Sequence, residues 1–115
     1  MNTPSLSIPA ALAILFAAAV LEAGGDALVR SGLHSPGLRR VGFFLTGALV
    51  LFAYGVVVNT PSWDFGRLLG IYIALFFVVA QLVNLFAFHQ KPTLPILAGG
   101  TLIVLGGILI SAWRV

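Results

Sequence analysis

Glu22, Asp26 and Arg30 stand four residues apart in LEAGGDALVR (21–30), within a stretch that is almost wholly apolar from Ile8 onward. On a helix that spacing puts all three on one face. At about 1.5 Å of rise per residue, Glu22 falls about 5 Å beyond the middle of a span over 8–29. Asp26 is one turn nearer the following loop, and Arg30 is one turn further, within reach of headgroups. An acid at that depth costs roughly 2.5–3.5 kcal/mol, because hydrocarbon penalises the charged form. Two outcomes are open. Asp26 and Arg30 settle each other near the interface while Glu22 stays protonated as a packing residue. Alternatively, Glu22 is left as an exchange site that holds either a proton or a cation and gives up one for the other.

The elements that hold these residues must lie in a membrane. Of 115 residues, 60% are hydrophobic and 8% charged, against about 25% charged in a soluble domain. Six Lys/Arg and three Asp/Glu cannot cover a water-facing surface. The net charge of +3 comes from scattered basic residues, which read as topology markers rather than a nucleic-acid footprint. There are no cysteines, so disulfides and thiolate metal sites are excluded. MNTPSLSIP has no Lys or Arg ahead of the first apolar run, and that run contains an acid, so no cleaved signal is expected.

Crossing about 30 Å of hydrocarbon takes about 20 helical residues. Four stretches qualify, at 8–29, 41–58, 68–88 and 94–113, as one four-helix transmembrane domain over 1–115. The separators SGLHSPGLRR, NTPSWDFGR and HQKPTLP carry the Gly, Pro, Asn and Asp of turns. The expected fold is an all-α membrane protein, a compact four-transmembrane-helix bundle. Loops one and three share a face with Arg30, Arg39, Arg40 and Lys91; the opposite face has Arg67 and Arg114. Four against two favours a cytoplasmic position for loops one and three, and so narrow a margin keeps insertion in both orientations open.

Around the acids the first helix is small-sided, with Ala17, Ala18, Ala19, Ala23, Gly24, Gly25 and Ala27. Such residues either let helices approach closely or leave room for a ligand beside Glu22. In the fourth helix Gly99 and Gly106 are seven apart, as are Gly100 and Gly107. That spacing suits a helix–helix seam, between subunits or within one bundle. Tyr54, Tyr72, Gln81 and Asn84 are the remaining polar groups of the middle helices, read first as interhelical hydrogen-bonders. Trp63 and Trp113 read as interfacial anchors. His34 and His89 are isolated loop residues. No nucleophile–base pair, metal-ligand spacing or nucleotide loop is visible, so no enzyme activity, metal or cofactor is expected.

Glu22 in helix one, Gly25 three residues on and Arg30 eight on resemble the small multidrug resistance family of the drug/metabolite transporter superfamily. FHQKPTLPILAGGTLIVLGGILIS (88–111) is similar to that family's loop-three proline segment and helix-four dimerisation seam. The resemblance implies that Glu22 binds proton and cation alternately, in a homodimer whose antiparallel subunits share one site. It further implies that Gly100 and Gly107 lie at the subunit seam, and that Tyr72 lines the cavity. Helix three departs from the family in IALFFVVAQ, which lacks its closely spaced glycines, and Asp26 is an added acid. PSWDFGRLLGIY (61–72) instead resembles the YnfA-like branch of small four-helix proteins.

The function expected from these features is a proton-coupled secondary transporter in a bacterial inner membrane. It would export small cationic or amphipathic compounds, with Glu22, Asp26 and Tyr72 as the substrate- and proton-binding residues. The partners expected are a second copy of the chain, parallel or antiparallel, and membrane lipids, with no nucleic acid. Two other readings stand beside it. One is a carrier or flippase of polar lipids or lipid-linked metabolites, using Arg30, Arg39 and Arg40 at the loop-one surface. The other is a non-transporting membrane assembly module.

Overall fold

The computed structural model describes residues 7–113. Arg114, counted above in the charge balance, and residues 1–6, on which the signal expectation rests, lie outside the described residues. Four helices follow in order: α1 (Ile8–Leu33), α2 (Gly37–Val58), α3 (Phe65–Phe88) and α4 (Leu94–Ala112). All four are long and apolar enough to cross a membrane. The described residues contain no strand, as the continuous apolar runs required.

Three helix ends lie further into the loops than hydropathy alone placed them, and polar side chains cap two of the three. The helix α1 runs to Leu33 rather than residue 29. Arg40 holds its end, donating from Nε to the carbonyls of Gly32 (3.2 Å) and Ser35 (3.0 Å) and from Nη2 to that of Leu33 (3.2 Å). The last carbonyls of a helix have no intrahelical partner, and a guanidinium satisfies several at once. The helix α2 then starts at Gly37 instead of residue 41. Gly37 has φ +59°, in the left-handed region that glycine enters without strain. The helix α3 starts at Phe65, three residues early, since the Asp64 carboxylate accepts from the Arg67 N–H at 3.1 Å as an N-cap.

The helices lie in a row, α2–α1–α3–α4. The helix α1 packs between α2 and α3, and α4 packs on α3 alone. The molecule is correspondingly flat, 51 × 40 × 19 Å. Small residues set the two tightest approaches. A Cβ on Gly47 would come within 2.8 Å of Val29 Cγ2 and 3.2 Å of the Gly25 carbonyl; one on Gly25 would come within 2.7 Å of Leu51. Between α3 and α4, Gly100 meets Phe77, Gly107 meets Ala74 and Gly70 meets Ile110. Arg67 also ties the start of α3 to the end of α4, donating to the Ser111 carbonyl at 2.9 Å.

The core is narrow. Leu15, Ala18, Ala19 and Ala23 of α1 pack with Leu68, Ile71, Tyr72 and Val79 of α3 and Val58 of α2. Trp63, read as an interfacial anchor, leans on this core, whereas Trp113 is exposed. Leu38, Leu49, Phe52, Phe86, Leu94 and Leu102 are 72–88% exposed. So much apolar surface is incompatible with water on those faces and suits lipid.

The approach of Gly47 to Val29 and the Gly25 carbonyl makes the α1–α2 packing sensitive to a single side chain. Gly47→Val is expected to lower stability by about 1–3 kcal/mol through overpacking. Gly55→Ala, whose added Cβ meets nothing within 4 Å, should leave it unchanged. Thermal unfolding in detergent, followed by circular dichroism, compares the two; equal midpoints would mean that the close approach contributes nothing.

Candidate functional site

Two ladders of side chains face each other where α1 meets α3. On α1 they are Glu22, Asp26 and Arg30; on α3 they are Tyr72, Phe76, Ala80, Asn84 and Phe88, also four apart. Successive members of each ladder lie one above the other on a helix face. Contacts close the two ends. Tyr72 bonds to Glu22 at one end, and Arg30 lies over Phe88 at the other. Ala80, the smallest member, falls between the two phenylalanines and leaves a gap.

Glu22 is half-buried at the end beside the aromatic rings. With α1 extended to Leu33, it lies only about 2 Å from the middle of the helix at 1.5 Å per residue, deeper than the sequence alone placed it. The Tyr72 hydroxyl donates to Glu22 Oε1 at 2.6 Å. Tyr72 is 3% exposed. Its ring lies 5.8 Å from that of Tyr54 on α2 and 6.0 Å from that of Phe76. Tyr54 and Tyr72 meet around α1 because Ala18, Ala19 and Ala23 lie in the same core and add almost no bulk. Close packing is therefore the main use of those alanines and of Gly25, all buried; Ala17 is exposed, and nothing lies within 4 Å of the position of a Gly24 Cβ.

Asp26 and Arg30 do not settle each other. Arg30 has turned to Phe88, with its guanidinium carbon 5.5 Å from the ring centroid, and no ion pair forms among the described residues. Both side chains are exposed to an open cleft of about 390 Å³ that the Ala80 gap creates. Gln81 and Asn84, first read as interhelical hydrogen-bonders, line this cleft instead, together with Gln90. Gln90 is brought there by a turn at His89, which takes the left-handed region at φ 53°. The Gln90 N–H returns to the Asn84 carbonyl at 3.2 Å. The other histidine, His34, is also exposed, its Nδ1 2.9 Å from the Arg30 carbonyl.

The predicted seam of α4 divides into two faces. Gly100 and Gly107 are buried against α3 of the same chain, while Gly99 and Gly106 have nothing within 4 Å of an added Cβ. Of the predicted site residues, Glu22 and Tyr72 are in direct contact and Asp26 lies one turn away in the neighbouring cleft. Phe76, Ala80, Phe88 and Gln90 went unrecognised in the sequence. The four-residue spacing from Tyr72 to Phe88 was the available signal for the first three; Gln90 had none, because a backbone turn places it.

No family model matches the chain, and no solved structure matches it. It is similar to a UPF0060 membrane protein of Herpetosiphon aurantiacus, 29% identical over 105 residues that cover 90% of this chain and 94% of the relative. With four apolar helices, that similarity supports an integral membrane protein and points to the YnfA-like branch of the small multidrug resistance fold.

Proposed function

We propose that the protein is a proton-coupled secondary transporter that exports small cationic or amphipathic compounds by exchange at Glu22. The observation that carries this reading is a half-buried carboxylate near the middle of a spanning helix, held by a tyrosine hydroxyl and lacking any basic partner among the described residues. A carboxylate whose charge is settled within the protein would have a cation in contact with it. Glu22 instead has Arg30 two turns away and engaged elsewhere. Tyr72, Tyr54 and Phe76 form an aromatic wall beside it, and such faces attract cations.

Exchange follows from competition. Deprotonated, Glu22 attracts a cation in a low-dielectric setting where the attraction is strong; protonated, it releases it. Each cation bound then displaces one proton, and net export runs on the inward proton gradient. The flat row of helices leaves the Glu22 layer at the face of a single slab, and a second copy, parallel or antiparallel, would enclose it. The bacterial inner membrane is the setting that supplies such a gradient.

Reconstituted protein should acidify a weakly buffered medium by one proton for each cation bound, with affinity falling tenfold per pH unit on the acidic limb. Glu22→Gln should abolish both proton release and cation-driven proton flux in liposomes; wild-type flux from that variant would leave the assembly-module reading instead. Tyr72→Phe keeps the ring and removes the donor. Losing a hydrogen bond to a charged group costs about 1.5–3 kcal/mol, so cation affinity at fixed pH should weaken at least about tenfold. Titration calorimetry of the two proteins would reveal it, and identical affinities would remove Tyr72 from the site.

A further inference from the structure

We infer that the cleft between α1 and α3 is a second binding site, distinct from Glu22, for a small zwitterion carrying an ammonium group and a phosphate or carboxylate. The cleft holds Asp26 and Arg30 side by side, yet the two make no ion pair and Arg30 lies over Phe88. Stacking occupies one face of a guanidinium and leaves its edge donors free for an oxyanion. Asp26 is an exposed acceptor one turn deeper, about 6 Å along the helix axis. A ligand with only a positive charge would meet Arg30, and one with only a negative charge would meet Asp26. A dipolar ligand satisfies both, with its acidic group toward the loops.

The remaining lining fits that ligand. Gln81, Asn84 and Gln90 line the cleft with amides that donate and accept. Ala80 provides the space, and the volume of about 390 Å³ suits a small solute or a single headgroup. Arg30 lies about 14 Å from the middle of α1, close to the edge of a hydrocarbon layer about 30 Å thick. The site is therefore open to two sources of the same chemistry, the headgroup of an amino-phospholipid or a free zwitterion in the aqueous phase. Neither depends on exchange at Glu22.

Titration calorimetry of the purified protein with phosphoethanolamine, ethylamine and inorganic phosphate tests the site. Phosphoethanolamine should bind at least tenfold more tightly than either of its halves. Asp26→Asn and Arg30→Gln should each weaken it at least tenfold, Arg30→Lys should weaken it less than Arg30→Gln because it keeps the charge but not the stacked fork, and Ala80→Leu should abolish binding by filling the gap. Circular dichroism checks that each variant keeps its helices, and the intermediate affinity of Arg30→Lys guards against simple misfolding. Glu22→Gln should bind phosphoethanolamine as wild type does, so loss of exchange and loss of this site are read separately. In nanodiscs, native mass spectrometry compares phosphatidylethanolamine with phosphatidylglycerol. Retention of the former, lost in Asp26→Asn, assigns the site to a lipid headgroup; equal retention with intact phosphoethanolamine binding assigns it to a free zwitterion. Phosphoethanolamine binding no tighter than ethylamine or phosphate overturns the proposal.

Discussion

A carboxylate near the middle of a membrane helix costs several kilocalories per mole unless neighbouring groups compensate, and the arrangement around Glu22 answers that constraint. One hydrogen bond, from the Tyr72 hydroxyl at 2.6 Å, joins α1 to α3 near the middle of α1. For that bond to form, the two backbones must come close, and the alanine-rich face of α1 permits it. Tyr54 reaches the same point from α2. Three helices thus converge on one polar pair, and the packing of α1, α2 and α3 is organised about it.

The fourth helix stands outside this convergence. It contacts only α3, through Gly100, Gly107 and the opposing Gly70, and Arg67 fastens its end. Glycine matters here for a simple reason: with no side chain in the way, dispersion contacts extend along the backbone, where lipid offers no hydrophobic drive to bring helices together. One glycine pair of α4 is consumed by this internal contact and the other, Gly99 and Gly106, faces outward. A helix with its chemistry spent on packing and an open small-sided face is well placed for assembly, and poorly placed for catalysis or transport chemistry.

The loops contribute through their caps. Arg39 and Arg40 look alike in sequence as positive-inside markers, but Arg40 is folded over the carbonyls that end α1. His89 holds a strained backbone turn that carries Gln90 to the rim of the cleft. Ala80 lines that cleft one turn from Phe76, where a larger side chain would narrow it. Charge and aromatic content alone say little about these positions.

The all-helical architecture and the four spans were legible in the sequence because each follows from a local property: apolar run length and turn residues. The pairing of Asp26 with Arg30 also seemed local, and it failed because Phe88, fifty-eight residues further on, lies within reach of the guanidinium. The helices run three or four residues past the apolar stretches at Leu33, Gly37 and Phe65, with Arg40 and Asp64 capping the first and last of these. What only the tertiary structure decided was the order of helices in the row, the contact of Tyr72 with Glu22, and which glycines of α4 face inward. Periodicity defines which residues share a face of one helix; which face another helix covers depends on how side chains far apart in the chain fit together in space.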